Sequence, residues 1–101
     1  MKINNLEWKI EFDTNMTENL FGQTNYANHT IYLNPICCFE NLKRTLLHEV
    51  MHAYCYSCGL HFTESFDREN FCEFISHNFE NIAKAYFEAK DEAGLYDKPK
   101  V

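Results

Sequence analysis

The stretch LLHEVMHAYCYSCGL, residues 46–60, carries two histidines four positions apart with a glutamate beside the first. It sits in a run, 39–57, that contains no Gly or Pro, and there Phe39, Leu42, Leu46, Val50 and Ala53 recur at steps of three and four. That spacing predicts a helix of about five turns. Gly59 is placed to close it in the left-handed conformation. Taking Leu46 as the reference direction, Leu42, Val50 and Ala53 fall within about 40° of it, while His48, His52 and Cys55 collect on the opposite side. With Leu47, Met51, Tyr54 and Tyr56 on its flanks, the helix reads as apolar nearly all round and therefore buried. A buried histidine pair needs a partner such as a metal ion.

Residues four apart on a helix stand one above the other, so His48 and His52 can offer two imidazole nitrogens to one ion. Glu49 is rotated by about 100° and would reach the ion's water rather than the ion. A zinc ion held by three protein groups keeps a position for water and lowers its pKa, and a neighbouring carboxylate takes the proton as that water attacks a carbonyl. HEVMH therefore points to zinc-assisted hydrolysis of a peptide bond, with Glu49 as general base. The plainer alternative is a partly exposed pair of helical histidines.

Upstream of this helix, Trp8, Ile10 and Phe12 alternate with charged residues, which predicts a strand. Leu20-Phe21 and Thr30-Ile31-Tyr32-Leu33 predict an antiparallel hairpin with a polar connection at 25–28, and Asn34-Pro35 ends it. Downstream, a second helix is expected over about 66–92, capped by Ser65 or Asp67, with Phe71, Ile75, Phe79, Ile82 and Tyr86 as its apolar stripe. The fold class is α+β: a small antiparallel sheet of about three strands packed against the HExxH helix and a second long C-terminal helix. Residues 1–92 form a single domain, and 93–101 a flexible C-terminal tail.

A third ligand is expected on the second helix. Measured from Ile75, Glu69 lies about 120° away and Glu73 about 160°, so Glu69 is nearer the buried edge and is the first choice. Glu73 becomes a residue that hydrogen-bonds a ligating histidine, or the alternative ligand. His61, His77 and Cys55 are further candidates, and a solvated acidic helix start accounts for both glutamates without a metal. Tyr26, Tyr54, His61, His77 and Tyr96 are the conceivable donors to an oxyanion.

Across 101 residues the composition is 46% hydrophobic and 24% charged, that of a packed globular chain. A formal charge of -6 argues against holding nucleic acid or an anionic membrane, since phosphate binding needs a basic face. With no signal-like apolar start and no run long enough to span a bilayer, a cytoplasmic location is expected. The five cysteines, an odd number, suit reduced thiols better than a disulfide framework.

The combination of LFGQTNY, HTIYLNP, KRTLLHEVMHAYCYSCGL and FDRENFCEFISHN resembles the compact gluzincin-like metallopeptidases of the ImmA/IrrE type, in particular the small versions of phages and mobile elements. The likeness covers about 20–82. It implies a minimal zincin-like fold, Zn²⁺ on His48, His52 and Glu69, and Glu49 as the catalytic base, with Glu69-Asn70-Phe71-Cys72-Glu73 matching the setting of the family's glutamate ligand. It also implies a protein or peptide substrate, such as a phage or element repressor, and no nucleic-acid or membrane partner. In zincins a peptide substrate lies along an edge strand, and 29–34 is the expected edge. The competing class is a non-catalytic, zinc-stabilised interaction module, in which the same residues serve folding alone.

Overall fold

The computed structural model describes residues 1–59 and 68–95. Among these, β1 (Lys2–Ile3), β2 (Leu6–Glu7), β3 (Lys9–Phe12), β4 (Gly22–Asn25) and β5 (Thr30–Leu33) precede α1 (Phe39–Ser57) and α2 (Arg68–Ala93). The α+β class is as expected, and α1 occupies the predicted span.

Two strands were not anticipated. β1 and β2 pair antiparallel with Ile3 opposite Leu6, which leaves Asn4 and Asn5 as a two-residue loop. Both take positive φ, 50° and 67°, the conformation of a type I′ hairpin turn that asparagine tolerates. The predicted strand around 8–12 is β3, and Trp8 just before it is fully buried, tilted against the His29 ring and edge-on to Tyr56.

The main sheet has the order β3-β5-β4. The hairpin β4–β5 is antiparallel as expected, with Gly22 opposite Leu33 and Asn25 opposite Thr30. Asn25 Oδ1 accepts hydrogen bonds from the amides of Ala27 (3.0 Å) and Asn28 (3.2 Å), which holds the polar connection. The sheet as a whole departs from the antiparallel expectation, because β3 runs parallel to β5. The chain leaves β3, crosses through 13–21, descends along β4 and returns as β5 between the other two. The stretch 29–34, expected at an edge, is thus the central strand, with Ile31 and Leu33 fully buried, and the edges are β3 and β4.

Asn34 explains how the crossing is tied down. Its side chain, 1% exposed, donates to the carbonyls of Thr17 (3.1 Å) and Leu20 (2.9 Å) and accepts from the Ile36 amide (3.2 Å), while its own amide donates to Phe21 O (2.8 Å). A buried amide with partners on both ends costs little and fixes the loop that supplies Leu20 and Phe21.

Leu42, Leu46, Val50 and Ala53 of α1 all face the core. The rest of the helix surface is more open than the sequence suggests: Arg44 and His48 opposite the core and Leu47 and Tyr56 on the flanks are exposed, although Cys55 is buried. Gly59, at φ 68°, closes the helix as predicted. On α2 the buried residues are Ile82, Ala85 and Ala89, with Phe74, Ile75 and Tyr86 partly covered. Phe71 and Phe79, assigned to the stripe, are exposed, whereas Phe74, three positions after Phe71, meets Tyr54 of α1 edge-on. Ser65 and Asp67, the expected caps of α2, lie outside the described residues.

The end of α2 is a Schellman closure: Gly94 takes φ 69°, its amide donates to Asp91 O, and the Leu95 amide donates to Lys90 O at 2.9 Å. Leu95 is 5% exposed, so the first residues assigned to a tail are fastened to the core. Residues 96–101 lie outside the described part.

One close approach sets the position of α1 on the sheet. A Cβ on Gly22 would stand 2.6 Å from Thr45 Cγ2 and 3.2 Å from both Glu49 Cγ and Tyr32 O. Only glycine lets β4 lie this near the helix. Gly22→Ala should therefore destabilise the fold by about 1–3 kcal/mol, the usual cost of overpacking. Chemical denaturation of the variant beside wild type measures it; an unchanged midpoint would show that the strand is free to move away.

Candidate metal centre

His48 and His52 project from one face of α1, with Nε2 of one 3.1 Å from Nε2 of the other and ring centroids 4.8 Å apart. In a neutral pair one ring donates and the other accepts. Two imidazoles bound to one tetrahedral zinc at roughly 2.0–2.1 Å would have their nitrogens roughly 3.3–3.4 Å apart. The observed separation is close to that bite, so the donor pair suits such an ion with little rearrangement. Together with Glu49 these form a group whose candidate ligand atoms lie within 4.8 Å of one another.

Glu49 differs from the histidines in its surroundings. It is 6% exposed, tucked under β4, whereas His48 is open. The Thr24 hydroxyl lies 3.3 Å from Glu49 Oε1 and 3.2 Å from Glu49 O, so its single proton is shared between them. Gly22 and Thr24 are two apart on β4 and therefore on one face: the first makes room for the Glu49 side chain, and the second donates to it. Beside them opens a cleft of ≈ 340 Å³ lined by Asn19, Phe21, Gly22, Arg44, Thr45, His48 and Glu49.

Among the described residues no other group of potential ligands gathers in this way. Glu69 and Glu73 lie apart from the pair, both exposed on the early turns of α2, and Glu73 is turned to His77 at 3.2 Å. Cys55 is buried and also outside the group; burial, then the neighbouring Cys58, pushes its thiol pKa up, which keeps it protonated and inert at neutral pH. His61 and Tyr96 fall outside the described residues.

The tyrosines separate clearly. The Tyr54 hydroxyl donates to Asn78 Oδ1 at 3.0 Å and is committed to the contact between α1 and α2. Tyr26, just beyond β4, stacks on Tyr56 at 4.6 Å, and Tyr56 stands one helical turn past His52. Burial, then the charges of Glu49 and Cys55, raises the Tyr26 phenol above its ordinary pKa of 10.0, so it keeps its proton at neutral pH. Sequence reasoning named Tyr26 among several tyrosines but missed Gly22 and Thr24, whose role depends on where the strand docks.

A His-Glu-x-x-His group on one helix of a small α+β domain, able to hold a metal ion, is what this geometry defines, and the family comparison agrees. The model of the SprT-like family matches residues 2–81, and the chain belongs to that family, a zinc metallopeptidase-like group with an HExxH motif. No curated protein and no solved structure matches the sequence.

Thr24 gives a direct check on the site's assembly. Thr24→Val should leave a buried carboxylate oxygen short of a donor and cost about 1–3 kcal/mol, and Thr24→Ser should retain most of the lost stability. Thermal or chemical denaturation of the two metal-free variants measures the difference; equal loss in both would assign the effect to packing of the Thr24 methyl.

Proposed function

We propose that this chain is a zinc-dependent peptidase that hydrolyses a peptide bond in another protein. The observation that carries the reading is the HExxH constellation itself: two histidine nitrogens 3.1 Å apart beside a buried, hydroxyl-held glutamate, at the wall of an open cleft. His48 and His52 would hold the ion. When bound, zinc supplies a Lewis acid that acidifies a water and polarises the scissile carbonyl.

Glu49 takes the proton of the attacking water and passes it to the leaving amine. Its attachment to Thr24 limits its rotation, so the carboxylate stays directed to one place. The backbone edge of β4, next to the cleft, is the natural rail for an extended peptide, in place of the central 29–34 stretch. Tyr26, protonated at neutral pH, is the described residue best suited to donate a hydrogen bond to the developing oxyanion.

A third protein ligand completes such a centre. Glu69, the donor drawn from the sequence, stands apart from the pair, and Glu73 is turned to His77. Glu69 is the proposed third ligand, and His61, two positions beyond the glycine that closes α1, is the alternative, since catalytic zinc accepts both two histidines with a glutamate and three histidines. The match is to SprT-like chains, so the ImmA/IrrE type and a repressor substrate gain no support from it, and the proposal stops at a protein or peptide substrate.

Metal analysis by mass spectrometry on protein purified without chelator tests the centre. About one zinc per chain is expected. It should be lost in His48→Ala and in Glu69→Ala and kept in Glu73→Ala; retention in Glu69→Ala with loss in His61→Ala would move the third ligand to His61. No zinc in wild type after zinc is added back would end the metallopeptidase reading.

Glu49→Gln separates an enzyme from a zinc-stabilised module. The variant should keep its metal and its melting temperature while losing cleavage of fluorescently labelled, unfolded casein. Tyr26→Phe should lower kcat on the order of 10²-fold with KM little changed, the signature of a donor used only in the transition state. A change confined to KM would remove Tyr26 from this role.

A further inference from the structure

The wall of the cleft on the N-terminal side of His48 carries chemistry that hydrolysis itself does not use. Arg44 precedes His48 by four residues, so the two positions share one face of α1, one turn or roughly 6 Å apart along the helix axis. It lines the cleft together with Asn19, Thr45 and Phe21. Arg44 is exposed and forms no ion pair with any described residue. The one carboxylate in the cleft wall, Glu49, is held by Thr24.

Such a wall is rich in donors: a guanidinium fork, the Asn19 amide and the Thr45 hydroxyl, with the half-exposed Phe21 ring opposite as an apolar face. An arginine inside a concavity, with no ion pair among the described residues and on a chain of formal charge -6, selects an anion small enough to enter. One helical turn separates Arg44 from His48, so a carboxylate bound at the first belongs to a residue close to the bond held at the second.

Resting on the peptidase reading above, we propose that Arg44 forms a carboxylate subsite, which gives the cleft a preference for a peptide with Asp or Glu beside the bond to be cut. Arg44 is the one cation among the described residues that line the cleft, which suits a single carboxylate. A polyphosphate strand would meet the repulsion of the rest of the chain. The end carboxylate of a peptide has the same chemistry as an acidic side chain and has to be distinguished by experiment.

The test is calorimetric binding of three short peptide hydroxamates to zinc-loaded protein: one with an Asp side chain and an amidated end, one with Asn in its place, and one with Ala and a free terminal carboxylate. Wild type should bind the Asp probe roughly five- to tenfold more tightly than the Asn probe, as expected for a charge-assisted pair in a partly open cleft. Arg44→Ala should abolish the preference, and Arg44→Glu should reverse it, the Asn probe then binding more tightly than the Asp probe.

Equal binding of the Asp and Asn probes would overturn the subsite and leave the metal centre standing. Tighter binding of the free-terminus probe than of the Asp probe would overturn the side-chain preference in favour of chain ends. Displacement of the Asp probe by a short single-stranded oligonucleotide at matched ionic strength would overturn it in favour of phosphate. Failure of all three hydroxamates to bind would overturn the metal reading, and the subsite with it.

Discussion

The close contact of β4 with α1 is the constraint on which the rest of this structure depends. Glu49 is a carboxylate on a helix face that the sequence marks as half apolar, and burying it without a partner would be costly. β4 solves this with two residues on one face. Gly22 lacks the Cβ that would collide with Thr45, and Thr24 supplies a hydroxyl to Glu49 Oε1 at 3.3 Å. The same contact decides which side of α1 is left open, and hence that His48 looks onto a cleft while Leu46 and Val50 enter the core.

The sheet serves that contact. With β5 in the middle, hydrogen-bonded on both sides, its Ile31 and Leu33 form a fully buried platform for α1. β4 is thereby left at an edge of the sheet, next to the cleft. Asn34 adds the remaining restraint, since its buried amide gathers the carbonyls of Thr17 and Leu20 and its backbone amide that of Phe21. The lip of the cleft is thus fastened to the end of the central strand, and the geometry of a surface loop becomes a consequence of the core.

Much of this was legible from residue order. The helix 39–57, its closing glycine, the hairpin around 25–28 and the His48-Glu49-His52 group all follow from local rules: a 3.6-residue period, turn chemistry at asparagine, and the stacking of positions four apart. The errors share a cause. The stripe assigned to α2 counted Phe71 and Phe79 as core because they are large and suitably spaced, yet the face that α2 buries runs through Phe74, Ile82, Ala85 and Ala89. The edge assigned to 29–34 assumed sequential antiparallel pairing, and a parallel β3 placed that strand in the centre. The β1–β2 hairpin was written in Asn4-Asn5 and passed over because its strands are two residues long.

By itself the amino-acid order determined the chemistry on offer: two imidazoles and a carboxylate on one helix, at a spacing that a metal ion can use, because helical geometry depends only on nearby residues. Tertiary structure alone decided what those groups face. That Glu49 is covered and hydroxyl-bound, that Tyr26 stands near the site while Tyr54 is committed to Asn78, that Glu69 stands apart from the histidines, and that Arg44 lines the cleft all depend on how strands and helices dock. Docking is a sum over contacts between residues distant in sequence, such as Gly22 with Thr45 and Thr24 with Glu49, and no local period encodes them.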